Sequence, residues 1–310
     1  MSEMMKKCNM QDRLASRIRT LSLIALAALL ALAVGGCSSL KLTYDYGDTL
    51  LYWWLDGYVD VDSGQKAPLK RDIDKLFEWH RKSQLKDYVQ LLKVGQQQLQ
   101  GNVTQAEVLA DYNAVKSRAT LLLFKSEPEL ADLARSLRPE QLLQMEKKFA
   151  SNNDDFRKKY LSGDVEKRRK IHFQKSMEQF ELWFGSFSRE QKDSIRQASD
   201  ARPQDDHTWL AERVRRQKNI IDLLQKVQRD KTGKEATILL IHDLLTDSFD
   251  PPQNSEHKAL LDAHAKATAQ LIFSVTRIAT AAQLAHARKR MQGWIDDFDS
   301  LAADARADAH

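Results

Sequence analysis

Two stretches decide the fold: QLLQMEKKFASNNDDFRKKY (residues 141–160) and FQKSMEQFELWFGSF (residues 173–187). In the first, Leu142, Met145, Phe149, Phe156 and Tyr160 fall on one side of a 3.6-residue helix. Ser162-Gly163-Asp164 interrupts the pattern, and Phe173, Met177, Phe180, Phe184 and Phe187 continue the same stripe. These are the strongest amphipathic signals in the chain, and both are helical.

The rest of the sequence agrees. The chain has 310 residues, 42% hydrophobic and 29% charged, which excludes a disordered chain and a polytopic membrane protein. Beyond residue 36, Gly and Pro together make up 15 of 274 residues. Average usage is roughly 12%, so the shortfall indicates long helices with few turns. Asp48 reads as an N-cap, Pro68 suits the first turn of a helix running to Gly101 with a bend near Gln84, and Thr104-Gln-Ala-Glu107 is a capping box. Ser126 with Pro128 opens a short helix that stops before Arg138-Pro139. Ala201-Arg202-Pro203 precedes a helix around Trp209–Arg229, and Phe249-Asp250-Pro251-Pro252 precedes a long final one from Ser255 to Phe298. The β-branched run Thr237–Ile241 has no second strand to pair with and reads as buried helix. The expected fold is all-α, an elongated bundle of roughly eight to ten helices.

The N-terminus carries an address. Lys6, Lys7, Arg13, Arg17 and Arg19 precede the apolar run Leu21–Val34, too short to span a bilayer but suited to a signal peptide. Val34-Gly35-Gly36-Cys37 resembles a bacterial lipobox, with Gly35 where Ala, Ser or Thr is commoner. That resemblance implies cleavage before Cys37 and acylation of its sulfur, with several chains for firm anchoring; the alternative is ordinary secretion with a free thiol at Cys37. Ser38 resembles the outer-membrane-permissive class. The expected division is residues 1–36 as leader, 37–47 as lipidated tether, 48–300 as helical domain and 301–310 as frayed tail. Removal of the leader reduces the net charge from +5 to +2. With this compartment, nucleic acid is not an expected partner. Cys8 lies in the leader, so Cys37 is the sole cysteine beyond it and no intramolecular disulfide is expected.

A short repeat marks helix starts: Leu137-Arg-Pro-Glu-Gln141, Phe187-Ser-Arg-Glu-Gln191 and Ala279-Thr-Ala-Ala-Gln283, with Met145, Ile195 and Ala287 four residues after each Gln. Helix capping accounts for it. It also resembles the L-T-x-x-Q motif of small helical periplasmic stress chaperones, which makes a chaperone one alternative function. Four longer stretches, YDYGDTLLYWWLDGYVDVD (44–62), FEWHRKSQLKDYV (77–89), WLAERVRRQKNIIDLL (209–224) and TAAQLAHARKRMQGWIDDF (280–298), together resemble a family of proteobacterial lipoproteins defined only as a domain of unknown function. The resemblance implies an α-helical envelope lipoprotein and brings no catalytic or ligand residues.

Candidate sites are few. Six aromatics, Tyr44, Tyr46, Tyr52, Trp53, Trp54 and Tyr58, follow the lipobox closely. They read either as a membrane-interface belt or as a core helix with Leu51, Trp54, Leu55 and Tyr58 inward and Trp53 outward. Asp60 opens no calcium loop, because the sixth and twelfth positions hold Gln65 and Arg71. The eight histidines show no ligand spacing, so no metal or other cofactor is expected. No G-x-S-x-G or glycine-rich phosphate loop occurs, and an enzyme would need residues converging from distant helices. Three basic clusters stand out: Arg157-Lys158-Lys159, Lys167-Arg168-Arg169-Lys170, and Arg213 with Arg215 and Arg216. They form either solvated faces balanced by Glu166, Glu178, Glu181 and Glu212, or a convergent site for anionic lipid or an envelope polymer. The expected function is a non-catalytic binding or structural role at the periplasmic face of the outer membrane. Its partners would be the membrane itself and an envelope protein.

Overall fold

Apolar stripes need partners, and the two aromatic stripes find different ones. In the structure, a computed structural model describing residues 41, 44–203, 205–249, 251–253 and 255–307, the chain is helical nearly throughout, with no strand among the described residues. It divides into Met1–Asp45 and Tyr46–His310. Of the first unit only Lys41, Tyr44 and Asp45 are described, each helical, and Cys37 lies outside the described residues.

Among its described residues the second unit holds twelve α-helices. The first six are α1 (Gly47–Val59), α2 (Ser63–Ser83), α3 (Leu85–Gln98), α4 (Gln105–Lys125), α5 (Glu127–Ser136) and α6 (Pro139–Phe156). A π-helical turn, Arg157–Leu161, extends α6. The others are α7 (Val165–Phe184), α8 (Arg189–Asp200), α9 (Asp206–Asp230), α10 (Lys234–Phe249), α11 (Glu256–Ile278) and α12 (Ala281–Ala307). The number exceeds the expected eight to ten partly because Gln84 and Ala279-Thr280 end helices that periodicity alone runs together.

Leu142 and Met145 of α6 bury against Val59, Ala134, Ile221 and Leu224, with Phe149 alongside. Met177, Phe180, Phe184 and Phe187 bury instead with Ile195, Leu271, Val275 and Ala287. The stripes are therefore not continuous. The π turn and Gly163, at φ +85°, re-aim the chain between them. Each buried ring or aliphatic side chain contributes about 1.5–3 kcal/mol.

The principal packings repeat after six helices. α1 lies on α6 and α2 on α5, as α7 lies on α12 and α8 on α11; likewise α3 on α12 matches α9 on α6, and α4 on α11 matches α10 on α5. The corners of this repeat carry the glutamine motif, and there are four copies, since Val61-Asp-Ser-Gly-Gln65 at the start of α2 belongs with the three legible in sequence.

The copies work in pairs. Gln65 and Gln141 face each other, Nε2 of Gln65 donating to Oε1 of Gln141 at 3.0 Å and Nε2 of Gln141 to Oε1 of Gln65 at 2.8 Å. Each Oε1 also caps its own helix, accepting from the Asp62 or Arg138 N–H, and each Nε2 also donates across to the chain before the partner helix, at the Ser136 or Asp60 carbonyl. Gln191 and Gln283 repeat the pattern, from Nε2 to the partner's Oε1 at 2.8 and 3.1 Å, from the Ser188 and Thr280 N–H groups, and to the Ile278 and Ser186 carbonyls. Two donors and two acceptors per amide are all satisfied. Arg138, the odd residue among the caps, reaches across to the Asp62 carboxylate, which this contact holds below the usual carboxylate range. The residues four after each Gln, Leu69, Met145, Ile195 and Ala287, are all buried.

Other differences from expectation are local. Tyr46, not Asp48, stands at the N-cap of α1, and Asp48 accepts from the Thr49 N–H instead. Pro68 sits beyond the first turn of α2, because the Asp62 capping box starts that helix earlier. Thr237 and Ile241 are buried in α10, a helix as expected. Residues 301–307, expected to fray, continue α12, because Leu301 and Ala302 are buried.

Replacing Gln141 by Leu strands an N–H and a carbonyl at once, and should cost about 2–3 kcal/mol in urea denaturation. The exposed Gln90→Leu change, by contrast, should stay within about 0.5 kcal/mol of the parent.

Candidate anion-binding cleft

Where α6 gives way to the π turn, the bundle opens. A cleft of about 570 Å³ lies between the π turn, α7, the α8–α9 connection, α9 and α11. That volume is in the range of small-molecule sites. In the repeat, the corresponding packing of α3 on α12 is closed by Leu85, Val89, Ile295, Phe298 and Leu301, all buried. The opening thus lies where the two halves of the duplicated architecture meet, with α6 and α9 on one side and α7 and α11 on the other. π turns of this kind recur at functional sites because they expose side chains that a regular helix would keep in line.

One wall is aromatic. Phe156 packs on Tyr160 with ring centroids 4.9 Å apart, and Tyr160 on His172 at 5.4 Å. Opposite, Trp209 meets His264 edge-on at 5.0 Å. Nε2 of His172 lies 2.9 Å from Oδ2 of buried Asp206, which holds the ring in place. Burial, then the charge of Arg202, lowers the pKa of His264, so that ring is neutral at pH 7.

The polar side is cationic. Lys175, Arg202, Arg213 and Arg216 face the cleft against the carboxylates of Asp206 and Glu212. Nε of Arg202 and Nη2 of Arg216 are buried without a hydrogen-bond partner. Burial draws the Arg202 guanidinium below its usual range. Arg213 donates through Nε to Asn153 Oδ1 at 2.9 Å, and Asn153 is itself clasped by Gln217 at 2.7 Å. This fixes the guanidinium while its Nη groups have no partner among the described residues.

Only part of the basic sequence converges here. Arg213 and Arg216 line the cleft, whereas Arg215 turns to Asp247 at 2.5 Å and to Glu212. Arg157 pairs with Asp154 at 2.6 Å, Lys158 lies 4.0 Å from Asp155, and Lys159 covers the Tyr160 ring. Arg168 donates to the Gly163 carbonyl at 2.8 Å, while Lys167, Arg169 and Lys170 are exposed. Trp53 is 63% exposed, and Trp54, expected inward, is 59% exposed. Among the described residues no group of His, Cys, Asp and Glu is arranged to hold a metal ion. No described helix is long and apolar enough to cross a membrane.

Sequence reasoning missed Arg202, His172 and His264 as site residues. Arg202 registered only as part of a helix break, and the histidines are brought together by helices far apart in the chain. The local signal was Arg202-Pro203 directly before the long helix carrying Trp209, Arg213 and Arg216.

Glu212 organises the cationic side. It accepts a fork from Arg215 at 2.8 and 2.9 Å and a hydrogen bond from Arg216 Nε at 2.6 Å, and His257 Nδ1 lies 3.1 Å from its Oε2. The Arg215 bonds, with Arg216, overcome burial and lower its pKa to about 2. A carboxylate depressed this far stabilises the fold fully above pH about 4.5 and loses that contribution as pH falls toward 2. Glu212→Gln should therefore lose roughly 2–3 kcal/mol at pH 7. The gap from the parent should narrow steadily below pH about 4.5 in denaturation curves taken across pH.

No curated protein and no solved structure matches the chain. A family model described as a family of unknown function, DUF6279, matches residues 57–248. That span holds the π turn, the cationic wall and Trp209, while His264 lies beyond it. On that match, the chain belongs to the DUF6279 family of unknown function.

Proposed function

We propose that this protein is a lipid-anchored binding protein of the bacterial envelope, non-catalytic, whose cleft holds an anionic amphiphile. In this reading Cys37 carries the acyl chains and Ser38 routes the protein to the periplasmic face of the outer membrane. The leader, the apolar run and the lipobox-like Val34–Cys37 support the location.

One observation carries the ligand class: guanidinium donors of Arg202 and Arg216 are buried and unpartnered beside an aromatic wall. The guanidiniums that carry these donors line the cleft, where a phosphate or similar oxyanion would add charge-assisted hydrogen bonds. The rings of Phe156, Tyr160 and Trp209 then suit an apolar body attached to that anion. The attraction is electrostatic at the head and hydrophobic along the body, so neither part alone suffices.

Calorimetric titration of the full chain with dodecyl phosphate, inorganic phosphate and dodecanol separates these contributions. Dodecyl phosphate should bind below its aggregation range and weaken with salt. Arg202→Ala should reduce its affinity by about tenfold or more. Binding of inorganic phosphate alone at equal strength would indicate a free anion or envelope polymer rather than an amphiphile. No binding of any probe, or binding indifferent to Arg202→Ala, would contradict the proposal.

A further inference from the structure

The first helix is apolar on both sides. Its inner side is accounted for: Tyr52 is buried with Leu69 and Ile73, with Leu51 and Leu55 packed alongside, and Val59 is buried in the α6 core. The outer side is not. Tyr46, Leu50, Trp53 and Trp54 are 59%, 49%, 63% and 59% exposed. At 100° per residue these four, with exposed Gly57, occupy one arc of about 100°. Elsewhere exposed apolar side chains stand singly, as Leu143, Val214 and Leu239 do, or two to a helix on different faces, as Val115 and Leu121 do on α4, which is ordinary for a protein surface. Four together, three of them aromatic, are not.

The helix carrying the stripe is held firmly. Trp54 leans on Tyr58 with centroids 4.9 Å apart, Tyr58 packs on Phe149 at 5.7 Å, and its hydroxyl accepts from Asn152 at 2.9 Å. The rings are presented on a supported element rather than on a loose end.

From the stripe's composition and its place in the chain, we infer that this outer face of α1 lies in the headgroup layer of the membrane that carries the anchor. Tyr and Trp are the side chains that favour that layer, because each joins an apolar ring to a polar N–H or O–H. Ten residues join Cys37 to Gly47, a reach of at most about 35 Å. An acylated sulfur at that distance confines α1 to the bilayer's immediate neighbourhood, where the rings gain from insertion without any further search. The inference rests on the anchoring reading and adds to it an orientation: α1 lies flat on the surface instead of hanging from a free tether.

The test uses full-length protein extracted from bacterial membranes and reconstituted in vesicles of zwitterionic phosphatidylethanolamine and phosphatidylcholine. A nitroxide on Trp53→Cys, in a chain with Cys8→Ser, reports depth through its accessibility to oxygen and to a water-soluble nickel chelate. The same label on Leu239→Cys, 65% exposed on α10, serves as the aqueous reference. The inference expects interfacial depth at position 53 and full chelate access at 239. Adding Trp54→Asp should raise chelate access at 53 severalfold toward that reference. An acylated protein whose label at 53 is as aqueous as at 239 overturns the docking, as does spin–spin broadening at 53, which would place a second copy on the stripe. Intact mass of the same sample reports acylation separately, so a bare Cys37 thiol with an interfacial label removes the anchor and leaves the docking.

Discussion

Four glutamine side chains, joined in two reciprocal amide pairs, are the constraint on which the rest of this structure depends. Each amide closes the open N-terminal turn of its own helix and at the same time ties down the carbonyl that ends the chain before its partner's helix. Helix termini are where backbone groups go unsatisfied, and a bundle with twelve helices has many to settle. Placing capping and tertiary contact in one buried group means that a corner cannot shift without breaking its opposite number. This accounts for short, sharp corners such as Asp60-Val61-Asp62 and Leu137-Arg138 in a chain with so few glycines.

The same architecture frames the cleft. Two halves built on one plan bury α3 against α12 and α9 against α6, but only the second packing is interrupted, by the π turn at Arg157–Leu161 and by Arg202-Pro203. Beside that interruption, Nε of Arg202 and Nη2 of Arg216 stay buried without partners. Glu212 limits how much positive charge the cleft presents: it pairs with Arg215 and with Nε of Arg216, and leaves Arg202, Arg213 and the rest of the Arg216 guanidinium to meet a ligand. Fold and candidate site are thus two consequences of a single duplicated frame.

Helical class was legible from residues alone, because the stripes at 142–160 and 173–187 repeat every turn and local capping boxes at Thr104 and Ser188 follow simple spacing. The repeat was legible too, but only as capping; its pairing was not. Gln65 escaped notice because Val61-Asp62-Ser63-Gly64 lacks the look of the other copies, although Asp62 caps as well as Ser188. Trp54 was expected inward because spacing alone cannot say which of two apolar faces meets the core. The cleft was the least visible part. His172 and His264 come from different helices and Arg202 from the α8–α9 connection, and nothing local distinguishes them from packed or solvated residues.

A double-mutant cycle on Gln191 and Gln283, each changed to Leu singly and together, measures most directly whether the paired amides act as units. The account predicts that the second substitution costs much less than the first, a coupling of about 1.5 kcal/mol or more in urea denaturation. Losses that add to within about 0.5 kcal/mol would show two independent helix caps that happen to touch, and would contradict it.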